Sequence, residues 1–399
     1  MIEYDINIFI KKNLYLKDEI VFKLLNTFIV TIYVCCLSTS YAIDTYPVKG
    51  NLTPNDKALF KPIPRSKGKQ LTIVSWNVRN LGAYSRSIKD YSAIVNLVDE
   101  ADVIVLQEVG LGLLKKDSLT HEQEKTLKSV RMLWEIQLGK DWTVKLAEHG
   151  SGHGAGRETS MVAYRNSVNG KSIQIEFKGY YELGDSRDMP LWDINLNNQT
   201  ISIGSVHLTP HDPERGKEML NMLNWLQSKQ GSFAIALGDM NYGYQKTSGV
   251  ENYIGERKVL ELDSKKEIYQ IFRNLSYIGK GSSTDLRTNL GFRKGAYFYD
   301  QFILTTKLSE RLSFQGKLLK DVGMLAFGVH DKYMNKVITK NDKKRGYALI
   351  KYKKYEKNST GFNKTNFDKA MRASNQQANN DATWSISDHR PIWIKLDLL

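Results

Sequence analysis

The feature that most constrains this chain is an alternation of short apolar runs with longer amphipathic stretches, which begins at Gln70. The runs are rich in β-branched residues and read LTIVSW, DVIVLQ, TSMVAY, ISIGSV, FAIALG, YFYDQFIL and RPIWIKL. Runs of this length and composition predict buried β-strands. Between them, amphipathic stretches predict helices over Ser87 to Asp99, Thr120 to Leu138 and Glu214 to Lys229. Strands that alternate with helices in this way indicate an α/β domain whose sheet is covered by helices.

The N-terminal part of the chain differs from this pattern. Lys23 precedes an apolar run from Leu24 to Leu37, and a small-x-small ending, Ser40-Tyr41-Ala42, follows it. The run is shorter than the roughly 20 residues that a membrane-spanning helix needs, so residues 1–42 are interpreted as a cleaved signal peptide with a long n-region. Retention as an anchor is the alternative. Residues 43–69 follow as a linker, and the mature protein is predicted to be secreted or periplasmic.

Composition narrows the class of protein. Both cysteines, Cys35 and Cys36, lie in the apolar run, so cleavage would leave a domain that has neither disulfides nor Cys-ligated zinc. The net charge of +14 favours polyanionic partners such as nucleic acid or an acidic membrane surface. A Lys- and Asn-rich segment at about 310–382 is interpreted as a basic insertion. It is either a solvated loop or a segment that contacts nucleic acid, and the sequence leaves both interpretations open.

Polar residues stand where the predicted strands end or begin. They are Asn77, Glu108, His207, Asp239, Asn241, Asp388 and His389, and a further one, Asp300, stands at the centre of the apolar run YFYDQFIL. A single carboxylate at such a position is usually a turn former or a helix cap. Strand ends on one edge of an α/β sheet converge on a crevice, however, so the repeated pattern predicts a functional site.

The residue types in this set point to phosphate-ester chemistry. Carboxylates and carboxamides without thiols suit a hard cation, so Mg²⁺ is predicted, with Mn²⁺ as a substitute and a requirement for Ca²⁺ left open. Such a cation neutralises a phosphate while a general base activates water. His207 and His389 are candidates for the proton transfers, because imidazole titrates near neutrality.

An ordered series of motifs supports this interpretation. The series reads WN at Trp76-Asn77, QE at Gln107-Glu108, RETSMVAYR from Arg157 to Arg165, SVHL around His207, GDMN from Gly238 to Asn241, YDQF around Asp300, and SDHRP from Ser387 to Pro391. In this order the motifs resemble those of the endonuclease/exonuclease/phosphatase superfamily, over about residues 70–399. The segment SRDMP at Ser186 to Pro190 adds a likeness to the deoxyribonuclease I branch.

The resemblance implies a four-layer α/β/β/α sandwich, in which two mixed β-sheets pack face to face and helices flank them. It also implies roles for individual residues. Asn77 and Glu108 would hold the catalytic Mg²⁺, with Asp388 nearby as a further metal ligand. Asp239 and Asn241 would orient the phosphate and the attacking water.

By the same resemblance, two imidazole–carboxylate pairs would share the acid and base duties. His207 would pair with Glu158, and His389 with Asp300. Arg187 matches an arginine that approaches the substrate phosphate in that branch, although the spacing differs by one residue.

The predicted function is therefore a monomeric, metal-dependent phosphodiesterase without a nucleotide cofactor, whose substrate is nucleic acid. DNA, cleaved internally to 5′-phosphate ends, is the favoured substrate. A phospholipid or phosphoinositide phosphoesterase that works at a membrane is the alternative, because a basic, tyrosine-bearing insertion suits an anionic surface. A non-catalytic nucleic-acid-binding protein is a third hypothesis.

Overall fold

The structure is a computed structural model that describes residues 63–81, 91–110, 121–147, 158–184, 187–210, 213–241, 254–271, 299–312, 322–324, 387 and 389–398. These residues all belong to one unit, Thr45–Leu399. The predicted signal peptide lies outside the described residues, as does the predicted linker up to residue 62. The last part of that linker belongs to the domain, because Ile63 is buried in an apolar core and Ser66 hydrogen-bonds the Thr72 hydroxyl.

In chain order the strands are β1 (Gln70–Leu81), β2 (Val103–Val109), β3 (Trp142–Leu146), β4 (Thr159–Arg165), β5 (Ser167–Val168), β6 (Lys171–Tyr181), β7 (Met189–Leu196), β8 (Gln199–His207), β9 (Phe233–Asp239), β10 (Ile268–Gln270), β11 (Asp300–Thr305), β12 (Val322–Met324) and β13 (Ile392–Asp397). The helices are α1 (Tyr91–Asn96), α2 (His121–Leu138), α3 (Glu214–Ser228), α4 (Ile254–Ser264) and α5 (Thr306–Ser309).

The strands form two mixed sheets. The first sheet has the order β12-β13-β1-β2-β4-β3, and the second has the order β10-β11-β9-β8-β7-β6-β5. Strands β1 and β2 run parallel, as do β8 and β9, while the other paired neighbours are antiparallel. Three residues of the predicted basic insertion, Val322–Met324, form the edge strand β12, so that part of the segment belongs to the sheet itself.

Strands β2, β4, β9 and β11 are buried on both faces, which explains why they read as nearly continuous apolar runs, whereas β6 alternates buried and exposed residues. The inner faces meet in one core that contains Ile73, Val105, Ile203 and Leu237. The outer face of the first sheet packs against α1 and α2, and the outer face of the second packs against α3 and α4. The predicted four-layer α/β/β/α sandwich is confirmed.

The helices have only a covering role in this arrangement. On α2, Val130 and Trp134 are buried against Trp76 of the first sheet. On α3, Met219 and Leu223 are buried against the second sheet. None of the helices in the described part of the chain combines the length and the apolarity needed to cross a membrane.

The close approach of β8 and β9 at Gly238 can be tested by substitution. Its φ is +139°, and a Cβ added there would overlap backbone atoms of its register partner Val206. We expect Gly238→Ala to lower the free energy of unfolding by about 2 kcal/mol or more, measured by urea denaturation. Gly231→Ala is the control, because Gly231 also has a positive φ, +80°, but a Cβ there would meet nothing within 4 Å. Equal losses in the two variants would contradict the steric argument.

Candidate active site

The polar residues predicted from the sequence lie on the inner faces of the two sheets, at one end of the sandwich. Along β8 the inward positions Ile201 and Ile203 are apolar, and the strand ends at His207. Register then aligns His207 with Asp239 on β9, and Asp239 with Asp300 on β11. The first sheet contributes Asn77 from β1 and Glu108 from β2, together with Glu158 and His389 from the residues just before β4 and β13.

His207 and Glu158 form a close pair across the two sheets. The His207 Nδ1 atom lies 2.8 Å from Glu158 Oε1 and 2.9 Å from Oε2. Burial and Arg187 each lower the pKa of His207, but the charges of Glu158 and Asp239 outweigh them and raise it above its ordinary value. Burial raises the pKa of Glu158, yet the charges of His207 and Arg187 hold it below its usual range. The pair therefore favours an imidazolium beside a carboxylate.

His389 and Asp300 form a second pair. The His389 Nδ1 atom lies 2.8 Å from Asp300 Oδ2, and both side chains are buried. The backbone of His389 is fixed as well, because its N–H donates to Ser387 Oγ at 3.0 Å and its carbonyl accepts from Trp76 Nε1 at 2.7 Å. Ser387 Oγ in turn donates to the carbonyl of Asn77 at 2.6 Å. These contacts hold the segment before β13 against the end of β1.

Asp239 is the point at which the two pairs converge. Its Oδ2 atom lies 3.6 Å from His207 Nε2 and 3.5 Å from His389 Nε2. The same oxygen accepts a hydrogen bond from Asn77 Nδ2 at 3.0 Å. Because each imidazole has its Nδ1 occupied by a carboxylate, each presents Nε2 toward this centre. Two imidazole nitrogens thus lie near the same oxygen of one buried carboxylate.

Asn241 supports this centre from the loop after β9. Its backbone N–H donates to Asp239 Oδ1 at 2.9 Å, and its side-chain Nδ2 donates to the carbonyl of Leu208 at 2.6 Å. Asn241 has a φ of +46°, which asparagine tolerates better than most residues. The turn therefore ties Asp239 to the residue that directly follows His207.

Glu108 reaches the centre through an irregular backbone. Its φ is +58°, and the pairing of β2 with β4 shifts register between Leu106 and Val109. Glu108 Oε1 accepts from Asn77 Nδ2 at 2.9 Å and lies 3.7 Å from His207 Nε2. A left-handed conformation in a non-glycine residue costs free energy, of order 1–3 kcal/mol, and such residues concentrate at functional sites.

The donor atoms around this centre suit a divalent cation. One ligand atom each from Glu108, His207 and Asp239 lies within 4.8 Å of the others. A hard cation would take the two carboxylates and leave the imidazole for proton transfer, whereas a softer one would also recruit the imidazole. Asn77, predicted as a ligand, presents Nδ2 to Glu108 and Asp239, while its Oδ1 accepts from Arg79 N–H at 3.0 Å.

Arg187 lies beside the first pair. Its Nε atom is 3.8 Å from Glu158 Oε2, and its Nη1 donates to the carbonyl of His207 at 3.4 Å. A small pocket at this point is lined by Arg187, Glu158, His207 and Gln107, among others. The predicted phosphate-binding residue thus stands at the wall of the site.

The structure therefore brings together every residue predicted for the site except Asp388, which lies outside the described residues. The catalytic, metal-binding and phosphate-binding roles of these residues stay predictions. Trp76 and Ser387 lie within the sequence motifs, but no role was predicted for them. The hydrogen bond from Trp76 to the His389 carbonyl is a tertiary contact, whereas the bond from the His389 N–H to Ser387 Oγ spans two residues within the motif SDHRP.

Comparison with solved structures gives distant likenesses. An endonuclease/exonuclease/phosphatase family protein from Leptotrichia buccalis is 15% identical, with a TM-score of 0.43, and the match covers 82% of this chain and 99% of that one. D. rerio TDP2 complexed with single strand DNA product is 12% identical, with a TM-score of 0.40 and coverages of 82% and 99%. A Bacteroides thetaiotaomicron mannosyl-6-phosphatase is 14% identical, with a TM-score of 0.36 and coverages of 64% and 87%. Likenesses this distant carry no argument about activity.

Sequence comparison gives one curated relative and one family. The relative, Imidazole glycerol phosphate synthase subunit HisH of Halobacterium salinarum, is 26% identical over 162 residues, which are 37% of this chain and 72% of that protein, and so assigns no function. Residues 74–253 match the model of the Endonuclease/Exonuclease/phosphatase family. The matched range contains Asn77, Glu108, Glu158, His207 and Asp239, which the structure gathers at one site. Over residues 74–253, which are less than half of the chain, the sequence is similar to the endonuclease/exonuclease/phosphatase family.

Proposed function

We propose that this protein is an exported, metal-dependent phosphodiesterase that hydrolyses nucleic acid, with DNA cut internally to 5′-phosphate ends. The observation that carries the proposal is the convergence of His207 Nε2 and His389 Nε2 on Asp239, next to Glu108. The similarity of residues 74–253 to the endonuclease/exonuclease/phosphatase family supports hydrolysis of a phosphoester bond. The net charge of +14 supports a polyanionic substrate over a small neutral one.

Mg²⁺ is the cation that this donor set favours. Glu108 and Asp239 would hold it through carboxylate oxygens, and Asn77 and Asp388 are further oxygen donors in the sequence. When bound, the cation would neutralise phosphate charge and stabilise the leaving oxygen.

The protein's own groups would handle the protons. Glu158 and Asp300 each occupy the Nδ1 atom of their histidine, which fixes the ring orientation and leaves Nε2 to exchange a proton with water or with the leaving oxygen. Asp239 Oδ2 lies within ion-pairing distance of both Nε2 atoms and would orient the attacking water, with Asn241 holding Asp239 in place. Because both sides carry an imidazole, one can act as the base while the other acts as the acid.

Export rests on the N-terminal sequence. The apolar run from Leu24 to Leu37 and the ending Ser40-Tyr41-Ala42 favour signal-peptide cleavage. After cleavage the protein could form no disulfides, because both cysteines belong to the run. The membrane-lipid alternative uses the same chemistry on another phosphodiester, so substrate assays decide between the two.

The first prediction concerns the substrate. Purified protein with Mg²⁺ is expected to convert supercoiled plasmid to nicked and linear DNA, and EDTA is expected to stop the reaction. Glu108→Gln should lower the rate by at least about 100-fold, because the amide removes the negative charge that a cation would need. The lipid alternative would be supported if DNA and RNA stay intact while phosphocholine is released from sphingomyelin vesicles. No turnover of any of these substrates would support the non-catalytic hypothesis.

The second prediction concerns the two histidines. His207→Ala and His389→Ala are each expected to lower kcat by at least about 100-fold, the usual effect of losing a positioned acid or base. Circular dichroism should show that both variants remain folded. His121→Ala, at the first residue of α2, is the control and should retain full activity. A variant at either site with near-normal kcat would remove that histidine from the mechanism.

The third prediction concerns protonation in the metal-free protein. In EDTA, nitrogen-detected NMR should show that the pKa of His207 is above its ordinary value of about 6.5. Glu158→Gln should lower this pKa, whereas Arg187→Met should raise it further, because Arg187 opposes the positive charge. The stabilisation from a raised histidine pKa is complete below the unfolded-state value and is lost as the pH rises through the folded-state value. Shifts of the same sign in the two variants would contradict this account.

A further inference from the structure

A layer of four polar side chains lies directly beneath the site, between the two sheets. We call it the cross-sheet bridge, and its members are Ser75 of β1, Gln107 of β2, Ser160 of β4 and Ser205 of β8. Three members stand two residues from a site residue on the same strand face, and Gln107 directly precedes Glu108. The bridge is therefore the row of side chains directly below the site residues, between the two sheets.

Hydrogen bonds link the bridge across the interface between the sheets. Gln107 Nε2 lies 3.3 Å from Ser75 Oγ, within the first sheet, and 3.3 Å from Ser205 Oγ, in the second. Ser205 Oγ also lies 3.1 Å from Ser160 Oγ of the first sheet. Gln107 and Ser205 thus connect the strand that carries Glu108 to the strand that carries His207.

The bridge interrupts an otherwise apolar interface. One layer further from the site, the same strand faces carry Ile73, Val105, Val162 and Ile203, all of which belong to the inner core. The four bridge residues are almost completely buried, with exposed fractions of 0–2%. Buried polar groups cost free energy unless they are fully hydrogen-bonded, and Gln107 Oε1 has no hydrogen-bond partner in the described part of the chain. Packing alone does not explain this layer.

The bridge has direct contact with the space in which chemistry would occur. Gln107, Ser160 and Ser205 line the pocket that Glu158, Arg187 and His207 also line. Above them, Glu108 Oε1 and His207 Nε2 are 3.7 Å apart although they come from different sheets. This spacing depends on how the ends of β2 and β8 are held relative to each other.

We propose that Gln107 is a positioning residue, which fixes β2 to β8 so that Glu108 and the His207–Asp239 side of the site keep the spacing that a divalent cation needs. The proposal rests on the metal dependence proposed above. Removing a group that hydrogen-bonds a metal ligand directly typically changes metal affinity or activity by about 10–100-fold. Gln107 bonds Ser75 and Ser205 instead of a ligand, so we expect an effect at the lower end of this range.

Gln107→Met tests the proposal, because methionine keeps the length and flexibility of the side chain but removes its hydrogen bonds. Mn²⁺ binding to the metal-free protein, measured by isothermal titration calorimetry, is expected to weaken by about 10-fold. In DNA cleavage, kcat should fall while KM stays near that of the wild type. Ser205→Ala removes one end of the bridge and should weaken Mn²⁺ affinity by a smaller factor. If Gln107→Met does not fold, Ser205→Ala takes its place in the test.

Val162→Ala is the matched control. Val162 lies in the apolar layer next to the bridge, on the same face of β4 as Ser160, and is fully buried. Its truncation should lower the melting temperature through a cavity but leave Mn²⁺ affinity unchanged. Equal loss of affinity in Val162→Ala and Gln107→Met would mean that Mn²⁺ affinity depends on general stability and not on the bridge. That result would overturn the proposal.

The two proposals fail in different ways. Wild-type protein that binds Mn²⁺, together with a Gln107→Met variant that binds it equally well, would overturn the positioning role alone. Wild-type protein that binds no divalent cation would overturn both the metal dependence and the bridge's task. Wild-type protein that binds Mn²⁺ but cleaves no phosphodiester would refute the proposed activity, while the affinity difference would still support the bridge.

Discussion

The packing of two sheets face to face is the interaction on which the rest of this structure depends. Glu108 and Asn77 belong to one sheet, and His207 and Asp239 belong to the other, yet their side-chain atoms lie within hydrogen-bonding or ion-pairing distance. Close-packed interiors deform little, so the apolar core beneath them fixes the relative position of the two strand ends. A slip of one residue in either sheet would turn its site residues to the opposite face.

This packing also sets the electrostatics. The site buries the carboxylates of Glu158, Asp239 and Asp300, and each has a specific partner that offsets the cost of burial. His207 has carboxylates on both sides, and they raise its pKa against burial and Arg187. In the site of a metal-dependent hydrolase, such a balance would keep an imidazole chargeable near neutral pH.

Local backbone irregularity completes the arrangement. Glu108 and Asn241 both have positive φ, and each stands where a strand ends at the site. Gly238 avoids a clash with the backbone of Val206 in β8, next to the register pair His207 and Asp239. The regular sandwich therefore supplies rigidity, and these few residues direct side chains into the space between the sheets.

The sequence by itself determined the fold class and the candidate residues. Strands buried on both faces leave continuous apolar runs, and the polar residues that end them stand out against such runs. The motif series added the pairing of histidines with carboxylates, which the structure contains. Only the tertiary structure decided that Asn77 bridges Glu108 and Asp239, that Trp76 holds the His389 carbonyl, that Ser387 contacts the Asn77 carbonyl, and that Gln107 joins the two sheets. These contacts join residues up to 313 positions apart, so no local pattern of apolar and polar residues encodes them.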